Sequence, residues 1–296
     1  MIRSLLFAPG NQPRRMEKAF TLEADAVILD LEDSVAPAEK ETARRPVAEA
    51  LAKSAAVRRC RGYVRVNAMG TPYCFRDLAE VMGPGVDGVV LPKVESAADL
   101  HAIDWLIANL ERERCLAVGA IDLIPIIESA AGLTRVERIL QARGLKPYSG
   151  TWRVRRVAFG AADYGHDLGL SPSRDEPELA HARERLVLAS RAADIEAPLD
   201  SPWFDLKDAE GLARAVERSR RAGFQGRLCI HPDQVAQVNA GYAPTADEIA
   251  RAERIVAAFR AAEAKGVAAI QVDGQMIDYP IVRQAERLLA ALKGAG

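Results

Sequence analysis

The chain has 296 residues, of which 49% are hydrophobic and 27% charged, and its net charge is −1. This length accommodates one large α/β domain or two ordinary domains with substantial cores. Basic and acidic residues are balanced, at 40 and 41, which excludes the positive field of a nucleic-acid-binding protein. The sequence has no apolar run long enough to cross a bilayer, so we expect no membrane association.

The use of cysteine indicates a reducing compartment. The four cysteines are far apart and form no C-x-x-C pair, which argues against a disulfide framework or a zinc site. The first apolar run ends at Pro9 and Gly10 and is too short for a signal peptide. We therefore expect a cytoplasmic protein.

Strand-like and helix-like segments alternate along the chain. Short apolar runs predict eight buried strands, at residues 4–8, 26–31, 63–66, 88–91, 123–127, 157–159, 197–199 and 228–230. Segments rich in Ala, Glu and Arg predict helices at residues 39–53, 97–110, 179–193, 209–222, 247–265 and 281–292. This pattern predicts a (β/α)8 TIM barrel. An open doubly wound sheet is the alternative, because the seventh strand is weakly marked.

The last part of the chain is longer than the closing helix of a barrel requires. We expect the barrel to occupy residues 1–238 and a helical C-terminal extension to occupy residues 239–296. The extension is expected to cover the active face or to reach a neighbouring subunit.

Carboxylates follow three of the predicted strands. They are Asp30 with Glu32 and Asp33, then Glu128, and then Asp163. The carboxyl ends of parallel strands meet, and converging carboxylates repel unless a cation or shared protons balance them. Glu128 and Asp163 are the best pair for Mg²⁺, which takes one or two protein carboxylates together with water and substrate oxygens. The alternatives are that Glu128 caps a helix and that Asp163 pairs with an arginine.

Arg65 lies in a strand whose alternation turns it to the same side as Tyr63 and Asn67. Its planar guanidinium suits a substrate carboxylate or a developing enolate. A salt bridge to Asp30 or Glu32 is the alternative, and both roles are compatible. Asp30 and Glu32 share one face of their strand, whereas Asp33 is expected to point elsewhere. Asp30 and Glu32 would orient metal-bound water or the arginine, unless they merely cap the next helix.

Four other residues have less certain roles. Lys93 follows the fourth strand and is expected to be a charge partner, with a Schiff-base role as the alternative. His166 is expected in a loop, and His231 is expected to hydrogen-bond a neighbouring strand end, with a general-base role as the alternative for both. Asp278 is either the N-cap of the last helix or a catalytic residue, if its segment folds over a barrel mouth.

Eight segments in order carry a family resemblance: RSLLFAPG (3–10), ILDLEDSV (28–35), VRVN (64–67), LPKVES (91–96), IESA (127–130), FGAADY (159–164), CIHPDQ (229–234) and GQMID (274–278). With them the chain resembles the citrate lyase β-subunit-like branch of the HpcH/HpaI aldolase superfamily, which includes citryl-CoA, malyl-CoA and citramalyl-CoA lyases. One departure is Ala162, where many relatives have glutamate.

The resemblance implies a (β/α)8 barrel and a Mg²⁺-dependent lyase, with Mn²⁺ as the alternative metal. The reaction would be the reversible Claisen cleavage of a 3-hydroxyacyl-CoA, such as citramalyl-, malyl- or citryl-CoA, to acetyl-CoA and a keto acid. The implied roles are metal binding by Glu128 and Asp163, substrate or enolate contact by Arg65, coenzyme A binding by Phe7, Arg14 and Lys18, and proton transfer by Asp278 of an adjacent subunit in a homotrimer or hexamer.

Three other functions remain open from the sequence. A CoA-thioester hydrolase would need the same site. A CoA-free 2-oxo-acid aldolase is disfavoured, because those relatives have Gly-Glu-His where this chain has Leu31, Glu32 and Asp33. A non-catalytic subunit of a lyase complex is disfavoured by the intact acids and Asp278. The sequence does not indicate which keto acid is used.

Overall fold

The computed structural model describes residues 2–142, 147–150, 152–171 and 173–293. The described residues divide into two compact units, one of residues 2–242 and one that begins at Ala243. The predicted boundary after residue 238 lies inside a helix, Pro232–Tyr242, that belongs to the first unit. Each unit has its own hydrophobic cluster.

The first unit is a closed (β/α)8 barrel, which confirms the predicted fold class. Each strand pairs in parallel with the next, and β8 returns to pair with β1. The strands are β1 Ser4–Pro9, β2 Ala26–Asp30, β3 Arg61–Arg65, β4 Gly88–Leu91, β5 Asp122–Ile127, β6 Ala158–Phe159, β7 Leu199–Asp200 and β8 Gly226–Cys229. The open-sheet alternative is wrong because β1 and β8 close the ring.

Helices connect the strands on the outside of the barrel. They are α1 Pro13–Ala19, α2 Lys40–Ser54, α3 Cys74–Val81, α4 Ala97–Glu113, α5 Ala130–Thr134, α6 Val136–Gln141, α7 Ala161–Leu168, α8 Ala180–Ala192, α9 Ala209–Ala222 and α10 Pro232–Tyr242. Within the described residues, no helix is both long and apolar enough to span a membrane.

Alternation along the strands separates two apolar layers. Ile28, Tyr63 and Ile126 belong to a cluster inside the barrel, whereas Leu29 and Ile127 belong to the larger cluster between strands and helices. Successive strand residues point to opposite faces. A residue two positions after an inward residue therefore also faces the barrel axis, which determines what reaches the active face.

The second unit contains α11 Ala246–Glu263, β9 Ile270–Val272, β10 Gln275–Ile277 and α12 Tyr279–Lys293. Thr245 begins α11 with a capping box, in which its hydroxyl accepts from the Glu248 amide. The two helices pack through a cluster that includes Phe259 and Ile277, and the antiparallel hairpin β9–β10 lies between them in sequence. The sequence predicted the two helices but not the hairpin, whose strands have three residues each.

Candidate active site

Charged side chains converge at the carboxyl end of the barrel because each lies in phase with its strand's inward face. Asp30 follows Ile28 by two residues, Arg65 follows Tyr63, and Glu128 follows Ile126; those three apolar or aromatic residues form part of the interior cluster. Asp30 is also the register partner of Arg65 across β2 and β3. The barrel therefore places a polar layer directly above its apolar interior.

Arg65 is held by acids and by an aromatic ring. Its Nε and Nη2 donate to the two Asp30 carboxylate oxygens, each at 2.7 Å, and its guanidinium lies 4.8 Å from the centroid of the Phe7 ring. Burial opposes ionisation of Asp30, but the charge and hydrogen bonds of Arg65 outweigh it and lower the pKa of Asp30. This bidentate pair orients Arg65 before any substrate binds.

Glu32 lies between two cations. Arg65 Nη1 is 2.8 Å from Glu32 Oε2, and Lys93 Nζ donates to Glu32 Oε1 at 2.5 Å. The Nη1 group is poorly aligned with Oε2, so this buried oxygen has no hydrogen-bond partner among the described residues. Burial raises the pKa of Glu32 despite both cations. Burial would lower the pKa of Lys93, but the hydrogen bond and charge of Glu32 raise it.

Glu128 is a buried acid in a negative environment. Its residue is only 3% exposed, and its Oε1 accepts the backbone amide of Lys93 at 2.7 Å. Burial, and then the charges of Glu32 and Asp163, raise the pKa of Glu128 to about 8. The neighbouring Ser129, rather than Glu128, caps α5, because its hydroxyl accepts from the Gly132 amide. The helix-cap alternative for Glu128 is therefore wrong.

Asp163 lies in the first turn of α7, with a side chain that is 41% exposed. The start of a helix favours a carboxylate electrostatically. The cation that the structure places near Asp163 is Lys93, with Nζ 3.9 Å from Oδ1, and not the arginine considered from the sequence. The Ala161 amide donates to Ser201 Oγ at 3.0 Å, which fixes the start of this helix.

A cavity of about 620 Å³ opens beside these acids. Its charged end includes Asp30, Arg65, Glu128 and Asp163. The rest of the wall is largely apolar, with two basic side chains from α1, and includes Phe7, Leu22, Phe204, Leu228, Ile230, Arg15 and Lys18. This volume is in the usual range for a small-molecule site. The cavity is therefore charged at one end and largely apolar along the rest of its wall.

The comparison with protein families decides the assignment. The model of the HpcH/HpaI aldolase/citrate lyase family matches residues 3–232, which include the whole charged layer. The chain belongs to this family. The family resemblance inferred from the sequence motifs is therefore confirmed. The protein belongs to the class of carbon–carbon lyases.

Similar proteins agree with the family. The citrate lyase subunit β of Leuconostoc mesenteroides subsp. cremoris is 36% identical over 97% of this chain and 92% of that protein. An L-malyl-CoA/β-methylmalyl-CoA lyase of Cereibacter sphaeroides is 34% identical over 96% of this chain and 92% of its own. The structure of CitE from Mycobacterium tuberculosis with magnesium, acetoacetate and coenzyme A is 33% identical, with a TM-score of 0.77 and 97% coverage of both chains.

Some side chains of this family member lie where the sequence did not predict them. Asp33, expected to point elsewhere, lines the cavity and lies 3.3 Å from Arg65 Nη1. Asn67 does not join the site, since its amide group donates to Asp77 and to the Leu31 carbonyl. His166 lies in α7 and not in a loop.

The remaining predicted residues are distributed as follows. His231 lines the cavity, and its Nδ1 accepts from the Asp233 amide at 3.3 Å. Lys18 lines the cavity, whereas Arg14 is exposed and is not among the described lining residues. Arg15, which forms a basic pair with Arg14, lines the cavity with Lys18, since the i,i+3 spacing of Arg15 and Lys18 places both on one face of α1. Asp278 lies between β10 and α12 in the second unit.

Proposed function

We propose that the chain catalyses the Mg²⁺-dependent, reversible Claisen cleavage of a 3-hydroxyacyl-CoA thioester to acetyl-CoA and a keto acid. The observation that carries this proposal is Glu128, a buried carboxylate whose pKa is raised by burial and by Glu32 and Asp163. An acid in such surroundings needs a cation to remain ionised at neutral pH. The relatives named as citrate lyase subunit β and malyl-CoA lyase support the same class of reaction.

The donor set fits a hard divalent cation held by Glu128 and Asp163. No group of three or more His, Cys, Asp or Glu side chains with metal-site geometry occurs in the described parts of the chain. Two carboxylates are enough for Mg²⁺, or for Mn²⁺ as the alternative, since such ions complete their octahedron with water and substrate oxygens. Glu32 Oε2, which is ion-paired with Arg65 but accepts no hydrogen bond from the described residues, supplies an acceptor for such a water or for the substrate hydroxyl. The CitE structure with magnesium supports the assignment.

The protein groups then have distinct tasks. Mg²⁺ held by Glu128 and Asp163 would supply Lewis-acid stabilisation to the substrate oxygens. Glu32, whose Oε2 accepts no hydrogen bond from the described residues, takes the proton of the substrate hydroxyl as the carbon–carbon bond breaks. Arg65, oriented by Asp30 and Phe7, stabilises the negative charge of the departing acetyl-CoA enolate. Asp278 of an adjacent subunit in a homotrimer or hexamer donates the proton that converts the enolate to acetyl-CoA, and it accepts that proton in the synthetic direction.

The cavity wall supplies the coenzyme A site in this proposal. Phe7 and Lys18 line the cavity, and Arg14 lies on the same short helix as Lys18. The apolar wall suits the pantetheine arm of coenzyme A, and the basic residues suit the phosphates of coenzyme A.

All four cysteines are free, which supports a reducing, cytoplasmic location.

Product analysis by mass spectrometry tests the proposal. Purified protein is given acetyl-CoA with glyoxylate, pyruvate or oxaloacetate, in Mg²⁺ or in chelator. A metal-dependent hydroxyacyl-CoA mass is expected from one of the three mixtures and identifies the keto acid. Free CoA with a free hydroxy acid would instead indicate the hydrolase. No product in any mixture would contradict the proposal and favour the CoA-free aldolase or the non-catalytic subunit.

A further inference from the structure

Lys93 has a strained backbone that is tied to the acid cluster. Its φ is 55°, in the left-handed region that side-chain-bearing residues rarely adopt. In this conformation its amide donates to Glu128 Oε1 at 2.7 Å. Local turn chemistry alone would favour glycine or asparagine at such a position. The strain is therefore offset by the contact with the buried carboxylate.

The other end of Lys93 reaches two more acids. Its Nζ donates to Glu32 Oε1 at 2.5 Å and lies 3.9 Å from Asp163 Oδ1. One residue thus contacts Glu128 through its backbone and places a positive charge beside Glu32 and Asp163.

We infer that Lys93 is a positioning residue whose ammonium holds the metal-free acids together and competes with the divalent cation for Asp163. The inference rests on the proposed metal site. A positive charge near one ligand of that site repels an incoming cation, and solvent reduces this repulsion because the Lys93 side chain is 41% exposed. Lys93 therefore preserves the geometry of the site while weakening its affinity for the metal.

Calorimetric titration of Mg²⁺ into four proteins tests this inference. Lys93→Met removes the charge but keeps the stem, and we expect it to bind Mg²⁺ about fivefold more tightly than the wild type. Lys93→Gly keeps the amide, relieves the positive φ, and should resemble Lys93→Met. Lys93→Arg keeps the charge and should bind within about twofold of the wild type.

A matched control removes a different lysine from an ion pair. Lys53 Nζ lies 2.6 Å from Glu17 Oε1 on an exposed surface, so Lys53→Met should leave Mg²⁺ affinity unchanged. Thermal unfolding gives a second readout. Without metal, Lys93→Met should have a lower melting temperature than the wild type. Added Mg²⁺ should raise the melting temperature of Lys93→Met by more than it raises that of the wild type. A merely structural role would lower both melting temperatures equally and would contradict the inference.

The outcomes distinguish a wrong role for Lys93 from a wrong metal site. If the wild type binds Mg²⁺ and Lys93→Met binds it equally well or more weakly, the role of Lys93 is wrong and the metal site stands. A divergence between Lys93→Gly and Lys93→Met would also overturn the inference, because the backbone rather than the charge would then decide affinity. No Mg²⁺ binding by the wild type would overturn the proposed function itself.

Discussion

At the scale of single residues, Glu128 depends on the absence of a side chain next to it. A Cβ atom at Gly160 would lie 2.3 Å from Glu128 Oε2 and 2.5 Å from its Cβ. The Lys93 amide meanwhile holds Oε1 in place. Glu128 thus occupies a slot bounded by the backbone of two neighbouring strand ends, and it has little room to adjust.

Gly160→Ala should therefore displace the Glu128 carboxylate. Such an overlap cannot be relieved without moving a buried group, and we expect Mg²⁺ affinity to fall at least about tenfold. Calorimetric titration measures this effect. Gly165 is a matched control in the same region, since a Cβ there has no atom within 4 Å and the residue lies inside α7. Gly165→Ala should keep the affinity and stabilise the fold by about 0.5–1 kcal/mol. Unchanged Mg²⁺ binding by Gly160→Ala would contradict the claim that the backbone at Gly160 and Lys93 fixes the Glu128 carboxylate.

Residue-level prediction from the sequence succeeded where a local rule applied. Strand alternation placed Asp30 and Glu32 on one face, and the salt bridge from Arg65 to Asp30 or Glu32, considered as an alternative from the sequence, is present with both acids. Alternation failed for Asp33, which also contacts Arg65, because β2 ends at Asp30 and the turn after the strand sets the direction of Asp33. The left-handed conformation of Lys93 was also not predictable, because it depends on Glu128, which is 35 residues away in the chain.

At the scale of elements, a buried ion cluster joins β7, β8 and α8. Asp200 is 0% exposed and accepts from Arg227 Nη2 at 2.6 Å and from Arg183 Nε at 3.1 Å. Burial opposes its ionisation, but the charges of Arg227 and Arg183 lower the pKa of Asp200. This cluster anchors a strand of only two residues, which has few ladder hydrogen bonds of its own.

Asp200→Asn should destabilise the fold by about 3–5 kcal/mol, because it removes the carboxylate that is ion-paired with the buried Arg227, whereas Arg183 keeps its ion pair with Glu176. Urea unfolding at neutral pH measures the change. Because the folded pKa of Asp200 is lowered, its stabilisation is present above the unfolded value of about 4 and disappears as pH falls through the folded pKa. The two stability curves should therefore converge in acid.

The control for this cluster is an exposed pair. Asp175 lies 3.9 Å from Arg214 and its side chain is 72% exposed, so Asp175→Asn should change stability by less than about 0.5 kcal/mol. If Asp200→Asn behaved like this control, the cluster would not anchor β7.

Short elements were the hardest to predict. The seventh strand was predicted at residues 197–199, and the structure has Leu199–Asp200. Two residues cannot display a period of two, so tertiary pairing rather than pattern defines this strand. The helices α6 and α7, with six and eight residues, were not predicted, because so few residues show little helical periodicity, whereas the long helix α9 was predicted with its observed bounds.

At the scale of the whole molecule, the repeated strand–helix alternation predicted the barrel but left an open doubly wound sheet as the alternative. The pairing of β1 with β8 decides between them, and no local pattern shows that pairing between distant parts of the chain. The location of the active face followed from the same topology. The second unit contains Asp278. In the proposed mechanism Asp278 acts in the site of an adjacent subunit, so that mechanism requires an oligomer.

The most direct test of the central claim is the rate of product formation by Glu128→Gln at saturating Mg²⁺. We expect a loss of about a thousandfold, because the amide removes a metal ligand. The variant should remain as stable as the wild type, since an uncharged side chain avoids both the burial of a charge and the repulsion by Glu32 and Asp163 that raise the pKa of Glu128. A stable Glu128→Gln protein that retained wild-type, metal-dependent activity would contradict the assignment of the strand-end acids as the metal site of a lyase.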